Sequence, residues 1–353
     1  MWFIHRNNLR SVYPKGRSVF ALLLFGLLFL ITGCHPSPLG TEGESPTKKT
    51  LRIGYQKAGT LNLLRQTGNL EKRLQPSGVG VQWIEFPAGP QLLEALGAGS
   101  VDLGSTGDAP AIFAQAAGNN LVYVANTPPE ESGESRAILV PKDSPLKTVF
   151  DLKGKRIAIQ KGSGTHNFLI QALEKNGVAY RDIHPVYLAP PDARPAFDSG
   201  SVDAWAIWDP FLAIAQRATG ARTLIDGKGI VSAGGFYLAS REVTKHHGDW
   251  IKIALNEIRN TAKWSLANPR AAAEILAPKM GLSVDILEIT LRRSATPGQK
   301  FIGFRPMDAE IIATQQKVAD NFTRIGLLPR HVEVSAGVLL PQEYAQITPE
   351  ATP

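Results

Sequence analysis

The segment RIAIQKGSGTHNF (156–168) carries the residue types best suited to hold an anion. A β-branched run, Ile157-Ala158-Ile159, ends in Gly162-Ser163-Gly164-Thr165, and an apolar pattern at helical spacing (Phe168, Leu169, Ala172, Leu173) begins at once. A strand, a glycine turn and a helix start bring the backbone close to a bound group. They also turn the first free N–H groups outward, with the positive end of the helix dipole behind them. His166, in the first turn, is a further candidate donor. An ordinary strand-to-helix connection would need glycine only for its turn. No Gly-Lys-Ser/Thr follows, and Asn167 stands where GxGxxG needs its third glycine, so neither a Walker loop nor a dinucleotide fingerprint is present.

Asp108 and Asp209 are each followed closely by proline and are well placed to cap helices whose first N–H groups need acceptors. Either could also touch a ligand, and Asp209 could pair with a cationic tail. Trp205 and Trp208 bracket the strand WAIW. One of them, Trp205 by expectation, faces the cleft and packs an apolar tail, although an aromatic on a buried strand is commonly core. There is no GxSxG elbow, no His-Glu-x-x-His and no cysteine beyond Cys34. Of the seven histidines only His246 and His247 are close, and adjacent residues point to different faces of a helix. The expectation is a protein with no metal, no cofactor and no catalytic residue.

Short strands alternate with helices from Leu51 onward, the mark of an α/β fold. Strands are predicted at 51–55, 81–86, 101–105 and 121–126, with helices at 61–75, 89–98 and 108–117. The pattern then begins again. Arg52-Ile53-x-x-Gln56-Lys57 recurs as Arg156-Ile157-x-x-Gln160-Lys161, Gly99-Ser100-Val101-Asp102 as Gly200-Ser201-Val202-Asp203, and Asp108 as Asp209. Two similar lobes follow, 51–135 with 236–345 and 136–235. In open α/β sheets ligands sit beyond the carboxyl ends of the strands, at helix N-termini. Facing lobes bring four such places to one cleft: Gly59-Thr60, Ser105 to Asp108, Gly162 to Thr165, and Trp208-Asp209. Beyond the strand at 235–240 the chain is predicted helical at 249–267, from Pro269, at 283–295 and at 307–325, as lobe packing, with a frayed end after Glu343.

The first 34 residues are of another kind. Arg6, Arg10, Lys15 and Arg17 precede an apolar run from Val19 to Ile31 with no acidic residue before it, the layout of an export signal too short to span a bilayer comfortably. Leu30-Ile31-Thr32-Gly33-Cys34 resembles the lipobox of bacterial lipoproteins. That resemblance implies cleavage after residue 33 and a lipid on Cys34. Residues 34–50, rich in Pro, Gly, Ser and Thr, suit a flexible tether. Four of the 38 Lys+Arg and none of the 31 Asp+Glu precede Cys34, so cleavage lowers the formal charge from +7 to +3. The rest of the chain holds no basic run or Arg/aromatic platform of the kind nucleic-acid binders carry.

The segments GYQK, FPAGPQLLEAL, GSVDLGSTGDAPAIFAQAAG, DLKGKRIAIQKGSGTHN, PVYLAPPDAR, GSVDAWAIWDPF and GGFYLA together make the chain similar to the aliphatic sulfonate-binding proteins of ABC importers, relatives of the taurine- and nitrate-binding proteins. The resemblance covers about residues 50–330. It implies a type II periplasmic-binding-protein fold that closes on its ligand and docks, as a monomer, on a permease with a cytoplasmic ATPase. It also implies a sulfonate held by backbone N–H groups and hydroxyls of Ser105-Thr106-Gly107 and Ser163-Gly164-Thr165, with Gln56 and the Trp205 region lining the pocket. Other ligands on the same fold (taurine, nitrate, bicarbonate, a pyrimidine precursor), a cofactor-biosynthesis enzyme and a ligand sensor are the alternatives. The lipobox departs from many members of that family, which are free in the periplasm.

Overall fold

The computed structural model describes residues 49–127, 129, 132–230, 234–294 and 304–349, all within one compact unit, Lys48–Pro353. The export signal, Cys34 and nearly all of the tether lie outside the described residues.

The first half of the chain alternates as its pattern requires: β1 (Thr50–Gln56), α1 (Thr60–Thr67), α2 (Asn69–Leu74), β2 (Gly80–Phe86), α3 (Gly89–Gly97), β3 (Leu103–Thr106), α4 (Asp108–Ala116) and β4 (Leu121–Thr127). The single helix predicted over 61–75 is two, because Gly68 takes φ 64° between them. The second half repeats the plan with β5 (Arg136–Val140), β6 (Arg156–Ile159), α5 (Gly164–Lys175), β7 (His184–Tyr187), α6 (Pro190–Asp198), β8 (Ala204–Trp208), α7 (Phe211–Thr219) and β9 (Arg222–Asp226). The remainder is β10 (Gly235–Ser240), α8 (Arg241–His246), α9 (Gly248–Ala267), α10 (Pro269–Met280), α11 (Val284–Ser294), α12 (Ala309–Arg324) and α13 (Pro341–Ile347).

Two five-stranded sheets result, ordered β2-β1-β3-β10-β4 and β7-β6-β8-β5-β9. They share one topology. In each, three neighbouring strands run parallel (β2-β1-β3 and β7-β6-β8), and a strand arriving from elsewhere (β10 or β5) inserts antiparallel between the third of them and the edge strand (β4 or β9). The repeated sequence motifs have a structural reason. Arg52 and Asp102 exchange backbone and side-chain bonds (Arg52 N–H to Asp102 Oδ2 2.8 Å, Asp102 N–H to Arg52 O 2.8 Å, guanidinium to Oδ1 2.6 Å). Arg156 and Asp203 do the same at 2.8, 2.8 and 3.0 Å. As part-exposed ion pairs they add little to stability, but the backbone bonds fix where the chain enters each sheet. These residues pin the N-terminal end of each sheet, away from the ligand edge.

Each sheet is buried on both faces. In the second, Ala204 and Ala206 face Phe168, Leu169 and Ala172 of α5, and Trp205 and Ile207 face Ala193, Phe197 and Leu212 of α6 and α7. The described residues after Glu343, through 349, are not frayed. Tyr344 is buried and donates its hydroxyl to the Tyr123 carbonyl at 2.7 Å, and Thr348 bonds the Val124 carbonyl. Two hydroxyls satisfying carbonyls of β4 dock a segment whose polarity alone suggested solvent.

Candidate functional site

A cavity of about 480 Å³ opens at the carboxyl edges of both sheets. Gly59-Thr60, Ser105-Thr106-Gly107, Ser163-Gly164-Thr165 and Trp208-Asp209 all line it, together with Gln56. A fifth helix start joins them, because Gly89 of α3 also lines the wall. A methyl group built on Gly89 would sit 2.1 Å from the Thr106 hydroxyl oxygen, so only glycine allows this approach. That hydroxyl is buried and has no hydrogen-bond partner among the described residues. A buried O–H without an acceptor is costly, and an anion at this edge would satisfy it.

The two loops face each other closely. A methyl group on Gly107 would lie 3.4 Å from the Gly164 Cα, and one on Gly164 would lie 3.2 Å from Asp108 Oδ1. Ser163 caps α5: its hydroxyl accepts the His166 N–H at 3.1 Å, which leaves its own proton for another acceptor. Gln56 donates to the Ser105 carbonyl at 3.2 Å, linking the ends of β1 and β3 beneath the loop.

Three predicted site residues do not line the cavity. Asp108 is buried as the first residue of α4. Its Oδ1 accepts the Ala109 N–H at 2.7 Å and its Oδ2 the Asn167 side chain at 2.9 Å, while Gln315 donates to its carbonyl at 2.8 Å. The helix cap is Gly107, so Asp108 serves the first turn from inside it. His166 is fully buried behind its loop. The Gly162 N–H donates to Nδ1 at 3.0 Å, so Nδ1 is unprotonated and Nε2–H donates to the Tyr180 hydroxyl at 2.7 Å. Burial, and then the nearby Lys161, lowers its pKa to about 3, so the ring is neutral and holds the glycine loop by accepting from it. Trp205 is 1% exposed and packs against Phe197 at 5.8 Å, inside the core. Trp208, half-buried at the end of β8 and edge-on to Phe211, is the tryptophan at the cavity.

Asp209 does line the cavity, yet its carboxylate is committed. Oδ1 accepts the Ala213 N–H of α7 at 3.0 Å, and the Arg293 guanidinium of α11 lies 3.3 and 3.4 Å from its two oxygens. A cationic ligand tail would have to compete with that arginine. Asp209 is the one carboxylate among the described lining residues, whereas Lys57, Arg136 and Arg259 all line the wall. The cavity therefore favours negative charge.

Sequence reasoning missed the far wall. Leu266 of α9, Leu276 of α10 and Leu287 and Leu291 of α11 line it, and Phe304 joins them. Helices that read as lobe packing give the cavity its apolar side, and no local signal distinguishes a leucine facing a cavity from one facing a core.

Residues 75–272 match the NMT1/THI5 like family. A putative aliphatic sulfonates-binding protein of Escherichia coli (strain K12) is 41% identical over 328 residues, spanning 93% of this chain and 98% of that protein. The chain belongs to the NMT1/THI5-like family. Among solved structures similar to this family member, the alkanesulfonate-binding protein from Xanthomonas axonopodis pv. citri bound to MOPS is 44% identical at TM-score 0.77, covering 82% of this chain and 98% of that one. The periplasmic aliphatic sulphonate binding protein from Escherichia coli is 43% identical at TM-score 0.72, covering 82% and 97%. The fold of this NMT1/THI5-like chain is accordingly that of the periplasmic binding proteins, two lobes about a ligand cleft.

Proposed function

We propose that the protein is the extracytoplasmic substrate-binding component of an ABC importer and that its ligands are aliphatic sulfonates. The observation that carries the reading is the convergence, on one cavity, of several helix starts and an orphaned Thr106 hydroxyl beside an apolar wall. A sulfonate is ionised at all physiological pH and offers three acceptor oxygens. N–H and O–H donors at helix starts stabilise such a group without a proton partner. Gln56, Ser105, Thr106, Gly107, Ser163, Gly164 and Thr165 hold the sulfonate, and Trp208 with the leucines of α9 to α11 receives the tail. The names of the relatives above support this choice.

Taurine fits less well, since its ammonium needs a carboxylate and Asp209 already serves Arg293. An enzyme on this fold would need a nucleophile next to a base, and the described lining offers serines and threonines with no histidine and one committed carboxylate. The protein acts by binding, as a monomer that delivers ligand to a permease with its ATPase. Residues 1–33 direct export, and a lipid on Cys34 anchors the protein on the periplasmic or cell-surface side of a membrane.

Titration calorimetry with ethane- or butanesulfonate is expected to give tight 1:1 binding, and micromolar binding of nitrate with none of any sulfonate would overturn the assignment. For the anchor, Cys34→Ala should release the protein from membrane fractions. A variant that still pellets with membranes removes lipidation as the explanation.

A further inference from the structure

Arg136 opens β5 and pairs in register with Trp208 at the end of β8. Directly opposed residues of an antiparallel pair share a face, and both line the cavity. The arginine is half-buried, and its guanidinium has no hydrogen-bond or ion-pair partner among the described residues, in contrast to Arg293 on Asp209. Its aliphatic stem lies over Gly227, where an added methyl group would fall 2.9 Å from Cγ and 3.2 Å from Cδ. Any other residue at 227 would meet the Gly133 carbonyl oxygen first, at 2.7 Å, and then that stem. The chain thus keeps a cation at the cavity wall with no counter-ion among the described residues.

Its position relative to the anion loop follows from the sheet. The strand order β6-β8-β5 puts Arg136 two strands from the loop that follows β6. At about 4.8 Å per strand that is roughly 10 Å along one edge. The register sets Trp205 against Ala158 and Trp208 against Arg136, so the arginine is level with the Lys161-Gly162 turn. Trp208, on the intervening strand, and Phe211 in ring contact with it supply an apolar stretch. The order along the wall is anion-binding loop, apolar span, cation.

We infer that Arg136 is a specificity-determining residue, and that the preferred ligands carry a second anionic acceptor (a carboxylate or another sulfonate) at the far end of a short alkyl chain. This rests on the sulfonate reading above and extends it from the head of the ligand to its tail. An arginine fork suits either group, because both present two oxygens to its parallel N–H donors.

The test is titration calorimetry on the full-length protein with butanesulfonate and butane-1,4-disulfonate, with the ethane and hexane disulfonates to vary the span. The measured quantity is the ratio of the two butane affinities. For the wild type the disulfonate is expected to bind about tenfold tighter or more, the effect of one charge-assisted contact. Arg136→Gln should bring the ratio close to one, and Arg136→Lys should leave it in between. A wild-type ratio near one, or a preference that Arg136→Gln keeps, overturns the inference while leaving sulfonate binding intact. If neither butane ligand binds the wild type, the sulfonate reading itself has failed. Because the guanidinium has no partner to orphan among the described residues, Arg136→Gln is expected to fold, and thermal unfolding alongside the titrations checks it.

Discussion

Asn167 donates its side-chain N–H to the Asp108 carboxylate at 2.9 Å, and the bond joins the first turn of α5 in one lobe to the first turn of α4 in the other. Both residues are buried. The cavity loops Ser105-Thr106-Gly107 and Ser163-Gly164-Thr165 immediately precede or open these turns, so one hydrogen bond ties the two loops together.

Asn167→Leu removes the donor and leaves the buried carboxylate oxygen without it, at a cost of about 1–3 kcal/mol. Part of that loss falls on the closed form, so ligand affinity should drop by about tenfold. Calorimetry with butanesulfonate and a spectroscopic distance across the cleft would check this. Unchanged affinity and unchanged closure would mean that the bond does not help hold the lobes shut.

Gly164→Val places a branched side chain where a single methyl group already stands 3.2 Å from Asp108 Oδ1 and 3.7 Å from the Gly107 Cα. The two loops must separate to admit it, and the N–H groups of each then no longer converge. A loss of affinity of at least about tenfold is expected, with secondary structure by circular dichroism unaltered. Wild-type affinity in this variant would take the loop out of the site.

His166 makes stability depend on pH in one direction. Its folded pKa is depressed to about 3 by burial and then by Lys161, while an unfolded histidine titrates near ~6.5. Between these values the unfolded chain binds the extra proton, so stability rises with pH across the window and falls on acidification. Above ~6.5 this contribution is level. Its size is on the order of a few kcal/mol at the acid end. Melting temperatures measured through that window should fall less steeply for His166→Gln than for the wild type, and equal slopes would contradict the assignment. The permanently ionised sulfonate predicts affinity that is flat where the fold is intact.

Arg293 compensates a carboxylate from 84 residues away in sequence, and also donates to Gln216 at 2.9 Å. Arg293→Ala removes this guanidinium from the Asp209 carboxylate. Since the arginine side chain is 22% exposed, the loss should be about 1–3 kcal/mol, below that for a fully buried pair. Paired with Asp209→Asn in a double-mutant cycle, the two changes should be less than additive in chemical denaturation. Strict additivity would show that the pair is not coupled.

The sequence by itself determined the alternation of strands and helices, the duplication, and the glycine turns that bring helix starts to one edge. Periodicity, turn chemistry and repeat spacing are local properties, written within a few residues of where they act. Even the pinning pairs Arg52 with Asp102 and Arg156 with Asp203 showed themselves as matched motifs, although only the folded structure reveals that they hold strands and do not line the cavity described above. Tertiary structure alone decided the rest. Alternation puts Trp205 and Ile207 on one face of β8, but that α6 and α7 cover this face, leaving Trp208 to the cavity, depends on where distant helices pack. The same holds for Arg293 reaching Asp209, for the leucines of α9 to α11 closing the far wall, and for Tyr344 docking a polar tail on β4. A side chain's partner is fixed by what the fold brings to it, and across tens of residues no spacing in the chain encodes that.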